Sequence, residues 1–221
     1  MATRSWLVDA AIGEYASAHT SPADPLIAEL RARTEEVAGR MAVMQIGDDQ
    51  ARFMEMLARA IGARRAIEIG TFTGYSAMAV AQGMGPEGRL LCCDVSEEWT
   101  AVAREFWQRA GVADRIELRI GPAIDTLKSL PHDETFDFAF VDADKTGYVD
   151  YFGELVPRMR IGGLLLADNT LQGGRVIDES ADDESVVAIR AFNDAVLAES
   201  RVVAALLPIG DGVTMIQKVS S

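Results

Sequence analysis

The apolar positions change rhythm near residue 62. Before it they recur at helical spacing. Leu26, Ile27, Leu30 and Val37 follow Asp24-Pro25, a pair that marks a helix start with proline at the first helical position. After a break over residues 41–47, Phe53, Met54, Leu57, Ala58 and Ile61 share one face of a second helix. The pattern caps that helix with Asp48, ends it at Gly62, and reads Met54 and Met56 as its packing residues. From residue 65 onward, short apolar runs alternate with helical stretches. The runs cover 65–69, 89–94, 115–120, 136–141 and 164–168, and the helices between them cover 75–82, 97–110, 123–130 and 148–159. Strands alternating with helices predict parallel pairing with helices on both sheet faces. The runs are apolar throughout rather than at every second position, as strands covered on both sides should be.

The end of the chain breaks that rhythm. After a helix over 184–199, runs at 202–207 and 213–219 are separated only by Pro208-Ile209-Gly210-Asp211-Gly212. So short a link cannot cross over a sheet, so the two runs form a hairpin and the last strand is antiparallel. Residues 172–185 form the one polar, Gly- and Asp-rich connection long enough to be a mobile loop. The expected architecture is α/β: a doubly wound, mostly parallel sheet with an antiparallel C-terminal strand. One domain over 1–221 is expected, with 1–47 as a helical cap and 48–221 as the core.

Charge narrows the function. The chain carries 34 acidic and 21 basic residues, a net charge of −13. A field of that sign repels phosphate backbones and anionic membranes, so neither nucleic acid nor membrane is an expected partner. No apolar run approaches the ~18 residues a membrane span needs. Met1-Ala2-Thr3-Arg4-Ser5-Trp6 lacks the apolar stretch of a signal peptide, which makes the cytoplasm the expected location. The adjacent Cys92 and Cys93 would point to opposite faces of a strand, which disfavours a disulfide between them and fits a reducing compartment.

Chemistry concentrates at strand ends. Glu68-Ile69-Gly70-Thr71-Phe72-Thr73-Gly74-Tyr75-Ser76 lies where the first strand turns into a helix, and its glycines permit a tight turn and close approach of a ligand. It lacks the glycine two residues after Gly70 that the dinucleotide fingerprint requires. Asp94 closes the next strand, where a carboxylate can accept both hydroxyls of an adenosine ribose, whether of a nicotinamide dinucleotide or of S-adenosylmethionine. Asp142 ends the fourth strand, followed by Ala143-Asp144-Lys145, and Asp168-Asn169 ends the fifth. Adjacent parallel strands bring both clusters to one rim. Asp142, Asp168 and Asn169 offer only oxygen donors, a set suited to Mg²⁺. The plainer alternative is a pair of helix caps, with Lys145 neutralising Asp144. A nearby cation would lower the pKa of Lys145 and make it a general base, whereas Asp144 would hold its proton on. Met41 and Met44 flank the break and are candidates to line a pocket. His132 reads as a solvated loop residue, and His19 approaches a ligand only if the N-terminal helices cover the site.

Together these residues resemble the cation-dependent class I O-methyltransferases, the group of the caffeoyl-CoA and catechol O-methyltransferases, and within it the bacterial branch. The resemblance runs from about residue 41 to 218. It rests on Met44-Gln45-Ile46, the Glu68-to-Ser76 motif, Cys92-Cys93-Asp94-Val95-Ser96-Glu97-Glu98-Trp99, Gly121-Pro122-Ala123, the run from Phe136 to Lys145, Asp168-Asn169, and Gly210-Asp211-Gly212. It implies a seven-stranded, Rossmann-like methyltransferase sheet. It places S-adenosylmethionine among Ile46, Glu68, Gly70, Thr71, Ser76, Asp94, Val95, Ala123 and Asp142. It puts a divalent cation (Mg²⁺, or Mn²⁺ or Ca²⁺) on Asp142, Asp168 and Asn169, with Lys145 as base. The implied reaction is methyl transfer to one hydroxyl of a vicinal dihydroxy aromatic, a small phenolic acceptor, by a homodimer. Family members often carry Trp after Asp-Asn-x-Leu; here Gln172 follows Asp168-Asn169-Thr170-Leu171, which gives the acceptor pocket a different wall. The competing readings are a nicotinamide-dependent dehydrogenase and a catalytically inactive nucleotide-binding protein.

Overall fold

The computed structural model describes residues 8–131 and 135–221. Helices α1 (Ala10–Ala18), α2 (Pro25–Ala38) and α3 (Asp48–Ala60) precede the first strand, with a 3-10 segment at Gly39–Met44 between the last two. The alternating part follows as β1 (Arg65–Ile69), α4 (Tyr75–Met84), β2 (Arg89–Asp94), α5 (Glu97–Arg109), β3 (Ile116–Ile120), α6 (Ala123–Ser129), β4 (Phe136–Val141), α7 (Tyr148–Arg158) and β5 (Met159–Ala167). Helix α8 (Glu184–Ala198) leads to the hairpin of β6 (Val202–Leu207) and β7 (Val213–Lys218).

The strands form one seven-stranded sheet in the order β3-β2-β1-β4-β5-β7-β6. The pairs among β1 to β5 are parallel, and β7 is antiparallel to both β5 and β6. The expected hairpin is there, but the reversed strand does not close the sheet. It inserts between β5 and β6, leaving β6 at the edge. The central strands bury both faces, which explains their unbroken apolarity. Phe138 and Phe140 of β4 face a core with Met54, Met78 and Trp107, whereas Ala139 and Val141 face a second core with Tyr148, Leu155 and Phe192. Each fully buried Phe contributes ~1.5–3 kcal/mol of transfer free energy. The expectation of double cover fails at β3, which is only partly covered; at the other edge, Val203 and Leu206 of β6 are exposed.

Local signals mostly hold. Asp24 caps α2 by accepting from the Leu26 N–H at 2.8 Å, with Pro25 inside the first turn. Asp48 does not cap α3. Gly47 takes the cap position, and Asp48, one residue further in, accepts from Arg31 and from the Tyr75 hydroxyl instead. Strand β5 starts at Met159, five residues before the expected 164, because Met159 already pairs with Phe136 and the ladder then shifts register before Leu164. Gly162-Gly163 disguises that early part as a turn. Met54 is buried, but Met56 is 58% exposed rather than a core residue of that helix. Residues 172–185 contain a 3-10 segment at Gln172–Ile177, and Arg190 of α8 ties them down through the carbonyls of Arg175, Val176, Asp178 and Ala181. Among the described residues no helix is long and apolar enough to cross a membrane.

Candidate active site

The turn after β1 is made by its backbone. Gly70 has φ +87°, and a Cβ there would overlap the Asp142 carbonyl oxygen. Gly74 has φ +83°, and a Cβ there would stand 2.7 Å from the Trp107 indole nitrogen, which donates to the Gly74 carbonyl at 2.9 Å. Phe72 between them takes a left-handed φ of +51°, strained for a residue with a side chain. Asp94 holds that conformation. Its Oδ2 accepts from the Thr71 and Phe72 N–H groups, both at 2.8 Å, and its Oδ1 accepts from the Ser96 N–H at 2.8 Å. A carboxylate offers about four acceptor positions, so one remains on Oδ1 for a ligand hydroxyl.

Strands β4 and β5 carry the second cluster. They run parallel with Val141 beside Ala167, so Asp142 and Asp168 leave the sheet side by side. Asp168 is 3% exposed. Its Oδ1 accepts from the Asn169 N–H at 2.7 Å and its Oδ2 from the Gln50 amide at 2.8 Å. Burial, and after it the charge of Asp142, push the Asp168 carboxyl well above the usual carboxylate range. Asn169 sits at φ +56°, a second strained residue at this rim.

Lys145 does not pair with Asp144. Its Nζ donates to Asp142 Oδ1 at 2.9 Å and to the Tyr148 hydroxyl at 2.8 Å. Asp144 instead accepts from Tyr151 and Thr146. Burial alone would lower the Lys145 pKa, but Asp142 and Tyr148 outweigh it and hold the ammonium well above the usual lysine range. Tyr148 is fully buried, and its hydroxyl lies 3.0 Å from the Asp168 carbonyl oxygen and 3.2 Å from that of Val141. One phenol thus bridges Lys145 to the ends of both β4 and β5.

Both clusters open onto one cavity of about 1450 Å³. Of the residues expected around a ligand, Ile46, Gly70, Thr71, Ser76, Asp94, Val95 and Ala123 line it on one side, and Asp142, Lys145, Asp168 and Asn169 line it too. Glu68 does not line it. It lies fully buried behind the turn, with neither carboxylate oxygen hydrogen-bonded. Burial first, and then Asp142 and Asp94, push its pKa well up; Ser76 and Thr71 pull the other way without closing a well-formed hydrogen bond. Sequence reasoning missed Gln50 and the Phe72–Trp99 pair, whose rings meet edge to face at 5.0 Å on the cavity wall. An aromatic in the first turn after Asp94 was the available signal for Trp99. Met44 lines the cavity and Met41 does not. His19 stacks on Tyr15 and is hydrogen-bonded to the Tyr15 carbonyl, away from the cavity, and His132 lies outside the described residues.

Among the described residues, no three His, Cys, Asp or Glu side chains gather as a metal site. The candidate set is two carboxylates and an amide. These are all hard oxygen donors, and two anions crowded into a buried rim are relieved by a cation between them. The residues present fit a hard divalent ion.

A family model described as O-methyltransferase matches residues 16–219. The chain is similar to the probable caffeoyl-CoA O-methyltransferase 2 of Dictyostelium discoideum, at 43% identity over 93% of this chain and 90% of that protein. Among solved structures it resembles the O-methyltransferase from Bacillus cereus in complex with SAH, at 33% identity and a TM-score of 0.86 over 94% of this chain and 97% of the other. It also resembles TomG from Streptomyces achromogenes, an O-methyltransferase involved in tomaymycin synthesis solved with SAM, at 28% identity and a TM-score of 0.86 over 95% and 96% of the two chains.

Proposed function

From the premise that this chain belongs to the O-methyltransferase family and is an enzyme using S-adenosylmethionine, we propose that it methylates one hydroxyl of a vicinal dihydroxy aromatic and requires a divalent cation to do so. The family sets aside the nicotinamide-dependent dehydrogenase and the inactive nucleotide-binding protein. The observation that carries the proposal is the pairing of two unlike walls on one cavity: the Gly70–Gly74 turn with Asp94, and the Asp142, Asp168, Asn169 and Lys145 cluster. On this reading the chain lies within the cation-dependent group, on its bacterial branch, by its Asp142-Ala143-Asp144-Lys145 and Cys92-to-Trp99 runs.

The chain's own residues divide the work. Phe72, Trp99, Val95 and Ala123 enclose the adenine end of S-adenosylmethionine, and Asp94 Oδ1 takes one ribose hydroxyl. Thr71, Ser76 and Ile46 line the path toward the methyl group, with Glu68 buried behind the turn. Asp142, Asp168 and Asn169 would hold Mg²⁺, Mn²⁺ or Ca²⁺, which supplies Lewis-acid acidification of a hydroxyl when bound. Lys145 Nζ is the proton acceptor for the acceptor hydroxyl. Asp142 favours its ammonium form, so it serves as base only where cationic charge competes for that oxygen. The remaining contribution is alignment of oxygen, methyl and sulfur on rigid strand ends.

Residues 1–47 act on this reading as a cap and dimerisation segment ahead of a core at 48–221, the whole forming one domain. Helix α1 supports it: Ile12 is 60% and Tyr15 67% exposed, an apolar surface only partly covered among the described residues. A monomer mass by light scattering at micromolar concentration would sink the homodimer. Both cysteines are free and buried, which agrees with a cytoplasmic enzyme. The deciding experiment is turnover of S-adenosylmethionine with a panel of dihydroxy aromatics and their monohydroxy analogues, with and without EDTA. Equal rates on both classes, or full activity in metal-stripped enzyme, would overturn the reading.

A further inference from the structure

Gln50 is the third residue of α3 and lies far in sequence from β5, yet its amide reaches Asp168, the more deeply buried of the two carboxylates at this rim. It is 3% exposed, and its Nε2 donates to Asp168 Oδ2 at 2.8 Å across 118 residues of sequence. The orientation of the amide is not free. A carboxylate oxygen only accepts, so the amide must turn its N–H to Asp168. Its Oε1 then points toward Gly210, where a Cβ would stand 2.9 Å away. The turn of the β6–β7 hairpin leaves room for this side chain, and Gly210 itself holds a φ of +57°.

The two carboxylates at this rim are held in different ways. Asp142 is engaged by an ammonium, Lys145, which shares its charge. Asp168 is engaged by neutral donors on both oxygens, the Asn169 N–H and the Gln50 amide. Neutral donors fix the rotation of a carboxylate, whose terminal torsion is otherwise broad, without drawing off its negative charge. Each oxygen keeps a further acceptor position.

We infer that Gln50 is a positioning residue for the divalent cation: it sets the plane of the Asp168 carboxylate so that an anionic oxygen faces the ion. This rests on the metal reading proposed above. Partners that orient a ligating group weaken metal affinity by ~10–100-fold when removed.

The test is calorimetric titration of Mn²⁺ into metal-stripped, full-length protein, with S-adenosylmethionine affinity measured in parallel. Gln50→Leu keeps the size and loses the donor. It should bind Mn²⁺ ~10–100-fold more weakly and S-adenosylmethionine within about twofold of wild type, the spread allowed for a site with no contact to it. Gln50→Glu loses the same donor but adds a negative charge, so it should bind Mn²⁺ more tightly than Gln50→Leu does. Should Gln50→Leu not fold, Gln50→Asn, whose amide is one methylene short of Asp168, carries the same expectation. Wild-type Mn²⁺ affinity in the donor-less variant overturns the inference. So does equal loss of Mn²⁺ and S-adenosylmethionine, or equal Mn²⁺ affinity in the Leu and Glu variants, because a merely structural residue would behave that way. Wild-type protein that takes up no Mn²⁺ would instead sink the metal reading itself.

Discussion

Asp94 and Asp168 both end a strand and both face the same cavity, yet their surroundings differ. Asp94 accepts three main-chain N–H groups and needs no counter-charge to be satisfied. Asp168 is buried beside Asp142 and accepts one main-chain N–H and one side-chain amide. The first carboxylate is complete without a charged partner. It fixes a turn and can still hold a neutral hydroxyl. The second keeps a buried negative charge that only a proton or a cation relieves. One wall of the cavity is therefore made mainly by backbone geometry and the other by side-chain electrostatics, and the two walls should respond differently to perturbation.

The strongest way to break that contrast is to withdraw the cation. Exhaustive EDTA treatment should abolish turnover and Mg²⁺ should restore it, while S-adenosylmethionine binding by calorimetry stays at its untreated value. Asp168→Ala should reproduce the loss without touching cofactor affinity. Next in size is Lys145→Ala, which should lower kcat by ~10²–10⁴, the range for a lost general base, in single-turnover measurements at saturating metal. A wild-type rate would make Lys145 only the ion partner of Asp142. On the opposite wall, Asp94→Ala should weaken S-adenosylmethionine by ~1.5–3 kcal/mol, the scale of a lost hydrogen bond to a charged group, and leave metal affinity intact. An unchanged cofactor dissociation constant would refute the ribose assignment.

The smallest effect belongs to Glu68, the buried acid behind the turn. Its pKa is raised on folding, chiefly by burial, so the folded state binds its proton more tightly than the unfolded state does. The associated stability is present below the ordinary carboxylate range and is lost as pH rises through the raised folded value. Glu68→Gln cannot ionise. It should flatten the pH dependence of Tm over that window and match wild type only at the acid end. A wild-type slope in the variant would show that Glu68 does not titrate there.

The contrast also explains what was legible in the sequence. Strands β1, β2 and β4 fall where their apolar runs do, since buried strands announce themselves locally. The strand-end motifs placed Asp94, Asp142, Asp168 and Asn169 on one cavity, because topology carries such residues to a common rim. Two partnerships were not legible. Gln50 meets Asp168 across 118 residues, and Lys145 chooses Asp142 over the adjacent Asp144 because Tyr151 already holds the latter. Such choices depend on packing, which no local spacing reports. The early start of β5 was hidden for the opposite reason, by a Gly162-Gly163 signal that in the fold accommodates a register shift rather than a turn.

The insertion of β7 between β5 and β6 has a consequence for biosynthesis. The turn leading into β7 also secures the segment after Asn169: the Thr170 and Leu171 N–H groups donate to the Gly212 and Asp211 carbonyls at 2.9 and 3.1 Å. On the ribosome, Asp94, Asp142 and Asp168 all emerge well before the strand that completes their sheet. A nascent chain lacking residues 213–218 already carries Asp94, Asp142 and Asp168, but β5 has an open edge where β7 would pair. Domains generally fold as units during synthesis, and here the strand that pairs with β5 on one side and β6 on the other is the last to be made.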